Sequence, residues 1–401
     1  MAGPLDGIRV VELAIFVAGP AVGALLADWG ADVIKIESPA GDPWRHNFVG
    51  KPVPGLETPV FELANRGKRS IVLDLKTSAD HATALKLIAT ADVFVTNLRP
   101  AALTRIDMNA STLHAQFPEL VILEISGYGP TGPDADRPGY DTSAFWARAG
   151  HATAIGEPGQ PPVLSRAGLG DHSTALAGAA AVMAALYQRT TTGTGDVVHV
   201  SLAGAGAYTN GLDHVGLIQG GRNPEPESRL TPVNPLFNTY RTRDQRWFML
   251  ACLQGDRHLP DVALALDRPD LLSDERFIDA RTRYRNSRAL VAILDDAFAQ
   301  RTFDQWGPLL DAHDIIWGPI NTVEDAQRDP QYAVLGAFPA YNDPRINRSV
   351  QTVDSPAHFQ SAPRTIDRGA PALGEHSDEI RRELQTATQP DSGSSSDTGS
   401  Q

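Results

Sequence analysis

The stretch Ile8-Arg9-Val10-Val11-Glu12-Leu13, with Gly19-Pro20 after it and Val33-Ile34-Lys35-Ile36-Glu37 beyond, decides the fold class of this chain. The first run is rich in β-branched residues and reads as a strand. Gly19-Pro20 opens a helix that runs to about Trp29, because proline in the first turn sacrifices no intrahelical hydrogen bond. Gly30-Ala31 ends that helix and a second strand follows. Further strands are predicted at 70–75, 93–96 and 121–125, with helical stretches between several of them. Strands that alternate with helices imply a mainly parallel sheet covered by helices. Ligands in such folds bind beyond the carboxyl ends of the strands. The loops after Leu13, Glu37, Thr96 and Ile125 are therefore the places where a site is expected.

Gly168-Leu169-Gly170-Asp171-His172-Ser173 leads into a small-residue, apolar helix predicted over 173–188. Glycines on both sides of Leu169 allow a sharp turn. A carboxylate at a helix start is favoured in its ionised form by the unpaired amides there. Asp171 is thus either a helix cap or an exposed, charged nucleophile. Thr192-Gly193-Thr194-Gly195 turns the chain into a strand at 196–202. From about Gly220 the texture changes. Residues 220–234 read as a linker, 237–240 and 247–252 as strands, 287–300 and 303–312 as helices. The segment 327–371 is loop-rich, a last helix is expected at 377–386, and the low-complexity tail 389–401 is expected to be disordered.

Composition narrows the function classes. The chain has 401 residues, 42% of them hydrophobic and 21% charged, within the ordinary range for a globular protein. A formal net charge of -13 leaves no room for a broad nucleic-acid surface, so an anionic ligand must meet a local basic patch. Cys252 is the single cysteine and lies in the apolar run 247–253, where a buried inert thiol is expected. No Cys/His cluster has zinc-ligand spacing. No leader pattern opens the chain, and the longest near-apolar run is too short for a bilayer. A cytoplasmic, non-membrane protein is expected.

Cationic residues recur after the strands: Arg45 and His46, Arg66-Gly67-Lys68-Arg69, and Asn97-Leu98-Arg99-Pro100. They suit a phosphorylated nucleotide moiety. Val17-Ala18-Gly19-Pro20-Ala21-Val22-Gly23 lacks the Gly-x-Gly-x-x-Gly of a dinucleotide fingerprint, and Pro20 removes an amide that a phosphate would use. The remaining helix-start amides still suit an anion. No Ser/His/Asp triad assembles from spacing.

The chain resembles the family III CoA-transferases, a group with formyl-CoA, carnitine and aromatic-acid CoA-transferases and, as a branch, the α-methylacyl-CoA racemases. The resemblance spans about 4–380. It is carried in order by Pro4-Leu5-Asp6-Gly7-Ile8-Arg9-Val10, Gly30-Ala31-Asp32-Val33-Ile34-Lys35-Ile36-Glu37, Asn65-Arg66-Gly67-Lys68-Arg69-Ser70, Gly127-Tyr128-Gly129, Pro138-Gly139-Tyr140-Asp141, Gly170-Asp171, Thr192-Gly193-Thr194-Gly195, Asp274-Glu275-Arg276-Phe277 and Leu373-Gly374-Glu375-His376. It implies an α/β fold with a Rossmann-like large domain and a smaller α+β domain: 1–220 in the large domain, 221–330 in the small one, and 331–388 back in the large one. It also implies an interlocked homodimer.

For chemistry, the resemblance implies acyl-CoA and carboxylic acid substrates, no tightly bound cofactor and no metal. It places the catalytic aspartate on Asp171, which would form an aspartyl acyl anhydride and then an aspartyl-CoA thioester. Contacts to CoA or substrate would fall on Val17, Ala18, Gly19, Lys68, Arg99, Tyr128 and Tyr140. The racemase branch has Gly-His-Asp where this chain has Gly139-Tyr140-Asp141, and a phenol is a poor base near neutral pH. Formyl-CoA transferases have glutamine where Val17 stands, so Phe16 and Val17 suggest a less polar acyl pocket. A racemase and a non-catalytic acyl-CoA binder remain the alternatives to a transferase.

Overall fold

A computed structural model describes residues 3–46, 54–362 and 366–386. The tail expected to be disordered, 389–401, lies outside the described residues. The chain divides into two compact units. One comprises the described residues of Met1–His151, Leu164–His214 and Gly336–Gln401; the other comprises Ala152–Val163 and Val215–Leu335.

In the first unit, six strands form one sheet: β1 (Arg9–Leu13), β2 (Asp32–Glu37), β3 (Arg69–Val72), β4 (Val93–Thr96), β5 (Val121–Ser126) and β6 (Val197–Ser201). Their spatial order is β3-β2-β1-β4-β5-β6 and every pairing is parallel. This is the doubly wound Rossmann order, whose direction reverses between β1 and β4. Both faces are covered, which is why the central strands are apolar at nearly every position. Val11, Ile34, Phe94 and Ile122 pack on one face with Leu87, Leu113 and Ile380 of the helices there. Val10, Val33, Val93 and Val121 pack on the other with Val22 and Leu26 of the helix Ala18–Asp28 and with Val182 of the long helix Leu169–Thr192.

Glu12 and Lys35 interrupt this apolar pattern. Glu12 accepts from Lys35 Nζ at 2.9 Å and from Lys68 Nζ at 2.6 Å, and all three side chains are fully buried. Lys35 also pairs with the buried Asp42 at 3.1 Å. The two ammonium groups outweigh the burial of Glu12 and hold its carboxyl below the usual range.

The segment expected to be loop-rich contains more structure than that. An antiparallel hairpin joins β10 (Ala340–Asp343) to β11 (Arg348–Gln351), and a short helix occupies Pro330–Leu335. The hairpin strands lack apolar alternation; Arg345, bonded to the Asp343 carboxylate, ties the turn instead.

In the second unit, β7 (Phe237–Arg241), β8 (Trp247–Ala251) and β9 (Trp317–Pro319) form an antiparallel sheet. Its core gathers Tyr240, Phe248, Leu290, Phe298 and Trp306, with the Phe248 and Phe298 rings 4.9 Å apart. Cys252 is buried here, and burial pushes its thiol up. β9 was not expected, because Trp317-Gly318-Pro319 carries no alternation and Pro319 ends it at once.

Candidate active site

The long helix starts earlier than its apolar pattern suggests. Gly168 adopts φ +94°, a left-handed conformation that favours glycine, and the helix begins at Leu169. Asp171 therefore lies in the first turn and does not cap the helix. The cap comes from elsewhere in the chain. Asp141 Oδ2 accepts the Gly168 N–H at 2.7 Å and the Gly170 N–H at 3.3 Å. Asp141 opens the wide π-helical turn Asp141–Ala147 and is itself buried. A side chain at position 170 would meet Phe145 at 2.6 Å and Asp141 Cβ at 2.8 Å, so the turn packs this closely only with glycine there.

The Asp171 carboxylate is half-buried and makes no hydrogen bond or ion pair among the described residues. Burial, followed by the neighbouring Asp141 charge, raises its pKa to about 7. The expected ionising effect of the helix start is thus reversed, and Asp141 holds two of the amides there.

Beside this turn stands an aromatic cluster. Tyr140 is exposed, and its ring meets Phe16 edge to face, centroids 5.7 Å apart; Phe16 in turn meets Trp44 at 6.2 Å. Phe16 has φ +63°, a strained value for a bulky residue. Its loop is fastened at successive backbone atoms. Lys35 Nζ donates to Ala14 O at 2.7 Å, Asn97 bonds both N and O of Ile15, and Asp42 Oδ1 accepts the Phe16 N–H at 3.3 Å. Val17, Ala18 and Gly19 follow as the buried start of the first helix.

The loops after β1, β2, β3 and β4 enclose a cleft of about 370 Å³ at the carboxyl end of the sheet. Leu13, Ile36, Leu73, Leu98 and Ile106 make its walls mainly apolar, while Lys76 and Arg105 and the acids Glu37, Asp42 and Asp74 also line it. Arg99 precedes the helix Pro100–Arg105, which supplies Arg105. Lys76, Arg99 and Arg105 are exposed, and none forms an ion pair among the described residues. Tyr128 lies under Arg148, whose guanidinium is 5.2 Å from the ring centroid, and near Arg137.

Lys68 does not fit the role of a CoA contact. Its ammonium is fully buried and donates to Glu12 Oε2, Pro20 O and Asn65 Oδ1, which uses all three of its N–H bonds. Burial pushes its pKa down to about 8. Lys76 and Arg105 stand in the site region without having been singled out from the sequence, whereas Asp141 and Asn97 appear there only within quoted motifs, with no role of their own. Lys76 had a usable signal, since it lies four residues after the end of β3; Arg105 sits at the far end of the helix Pro100–Arg105 and had none. Asp141 and Asn97 act through contacts distant in sequence. Among the described residues no group of His, Cys, Asp or Glu gathers as a metal site, and no helix is long and apolar enough to cross a membrane.

The chain belongs to the family described as CoA-transferase family III, whose model matches residues 5–377. It is 34% identical over 382 residues to the (R)-2-hydroxy-4-methylpentanoate CoA-transferase of Clostridioides difficile, covering 95% of each chain. It is 34% identical to the cinnamoyl-CoA:phenyllactate CoA-transferase of Clostridium sporogenes, covering 94% of this chain and 93% of that one. The crystal structure of a CaiB/BaiF family protein from Brucella suis superposes with a TM-score of 0.86 at 33% identity, covering 96% of this chain and 100% of that one. The chain is therefore a family III CoA-transferase, and racemisation is not favoured.

Proposed function

From this membership we propose that the protein moves CoA from an acyl-CoA donor to a free carboxylic acid through covalent intermediates on Asp171. The observation that carries the reading is the unbonded Asp171 carboxylate, presented on a glycine turn held by Asp141. An Asp171 oxygen attacks the thioester carbonyl carbon, the C–S bond breaks, and CoA leaves as thiolate. The thiolate then attacks the Asp171 carbonyl of the anhydride. This expels the donor acid as carboxylate and leaves an aspartyl-CoA thioester. The acceptor carboxylate reverses the two steps, so Asp171 is regenerated and a new acyl-CoA departs.

The apolar cleft with Lys76, Arg105 and nearby Arg99 suits the nucleotide end of CoA at the carboxyl ends of the strands. Tyr128 and the buried start of the first helix, Val17 to Gly19, complete the proposed binding region. Phe16 and Tyr140 give the acyl side an apolar, aromatic wall. The working form is a homodimer. What supports it is the exposure of large apolar side chains such as Leu176, Tyr187, Tyr208 and Leu212, the last at 93%. Sedimentation at low concentration tests this; a folded, active species near 43.0 kDa would contradict it.

Hydroxylamine trapping tests the covalent route. Incubation with a panel of acyl-CoA donors should give a hydroxamate on the peptide that carries Asp171, dependent on the donor. Turnover with no adduct on Asp171, and full turnover by Asp171→Ala, would overturn the proposal.

A further inference from the structure

We propose that Asp141 is a positioning residue for the reaction assigned to Asp171: it takes two of the helix-start amides, those of Gly168 and Gly170, and stands as a fixed negative charge beside the unbonded Asp171 carboxylate. This rests on the reading of Asp171 as nucleophile. The first amides of a helix are strong partners for a carboxylate, and a carboxylate that accepts them becomes a weaker base. Asp171, in the first turn, is well placed to fold back onto them. The structure gives two of them to Asp141 instead, at 2.7 Å from Gly168 N and 3.3 Å from Gly170 N. Asp141 is 4% exposed, so its geometry is fixed by packing. Its Cβ would lie 2.8 Å from any Cβ at position 170, and Phe145 of the same turn closes in at 2.6 Å. The pair Gly168 and Gly170 is therefore read as a seat for Asp141.

The charge adds a second effect. When an Asp171 oxygen attacks the thioester, the C–S bond breaks and the negative charge departs on the CoA thiolate. Asp171 becomes a neutral anhydride, and the repulsion between two adjacent carboxylates is relieved. Asp141 thus favours the acylated state over the free carboxylate while touching no reacting atom. Burial and Asp141 together keep the Asp171 pKa near 7. Asp141 faces Asp171 from the wide turn, and no other charged group shifts it. His172, next on the helix, is exposed, and its Nδ1 lies 2.7 Å from Gly168 O.

Asp141→Asn keeps an oxygen for the Gly168 amide and removes the charge; Asp141→Ala removes both. For Asp141→Asn we expect kcat to fall by at least about tenfold, with KM for acyl-CoA nearly unchanged, and the acid limb of the pH profile of kcat/KM to move to lower pH. Asp141→Ala should lose rate and also melt lower. Wild-type kcat and an unmoved acid limb in a folded Asp141→Asn would overturn the inference. Amide exchange in the unmodified protein gives a check that needs no variant: the Gly168 amide should be protected, and fast exchange there would overturn the clamp. Asp171→Ala separates the two levels. If it is inactive while Asp141→Asn behaves as wild type, only this inference fails; if it turns over normally, the nucleophile reading itself fails.

Discussion

The ring of Phe16 stands perpendicular to that of Tyr140, interplanar angle 89° and centroids 5.7 Å apart. Phe16 reaches this position only by holding a left-handed backbone, which costs about 1–3 kcal/mol unless its surroundings enforce it. Its surroundings do: Asn97, Lys35 and Asp42 grip residues 14–16 from three directions. Such strain is the more telling for lying against Tyr140, the residue before Asp141. Replacing Phe16 with glycine should relieve the backbone and erase the aromatic wall together. The variant should be at least as stable as the parent. Its preference for bulky apolar acids over small dicarboxylic acids should fall by about tenfold or more, the scale set by apolar pockets. Competition between two acceptor acids, read by mass, measures this; an unchanged ratio would remove Phe16 from the acyl site.

Glu12 is the common partner of two buried lysines, Lys35 and Lys68. Glu12→Gln keeps the volume and leaves both ammonium groups short of charge in the interior. Breaking a buried pair in this way costs about 3–5 kcal/mol. The loss should appear in denaturant unfolding at neutral pH. It should also loosen the loop that holds Phe16, because Lys35 bonds Ala14 O and Lys68 bonds Pro20 O. A variant of parental stability would show that the network contributes little.

Asp171 keeps its proton to about pH 7, whereas an unperturbed aspartate releases it near 3.8. Between those values the native state binds more protons than the unfolded one. The contribution of Asp171 to stability therefore falls as pH rises from about 4 to about 7 and stays lost above. Asp171→Asn should be inactive yet more stable than the parent at pH 8, by up to about 4 kcal/mol. The gain should shrink toward pH 4. Calorimetry at the two pH values checks the sign, and a destabilised Asn variant at pH 8 would contradict it. Stability given up at a reactive group is the expected trade.

The parallel sheet was legible because its central strands are buried on both faces, which leaves continuous runs such as Val10-Val11 and Ile34 with Ile36. The two charges inside those runs, Glu12 and Lys35, gave no hint of each other: their pairing exists only once β1 and β2 are in register. The turn before Asp171 was visible in its glycines, but its true cap was not. Asp141 lies 27 residues from Gly168 in sequence and acts across two elements. Lys68 misled for the opposite reason. In sequence it belongs to a cationic run, and only packing shows that it points inward while Arg66 and Arg69 pair with Asp28 and Asp32. β9 and the β10–β11 hairpin were missed because their stability comes from partners and turn contacts, with no alternation of their own to read.

The proposed CoA region makes a prediction about charge. Lys76, Arg99 and Arg105 are exposed around an apolar cleft at the carboxyl end of the sheet and lack carboxylate partners among the described residues. In a chain of net charge -13, such local cations should dominate the pull on a phosphorylated ligand. Arg99→Ala and Arg105→Ala should each raise KM for acyl-CoA by about five- to thirtyfold, as loss of a charge-assisted contact of about 1–2 kcal/mol does. KM for the acceptor acid and kcat should change little, because these groups lie at the nucleotide end of the proposed site. Rising salt should weaken acyl-CoA binding in the parent and much less in the double variant. Thioesters of dephospho-CoA, which lack one phosphate, should bind the parent less well and should lose less affinity when an arginine is removed. Equal effects on acyl-CoA and acceptor acid, with no dependence on the missing phosphate, would place CoA elsewhere on the protein.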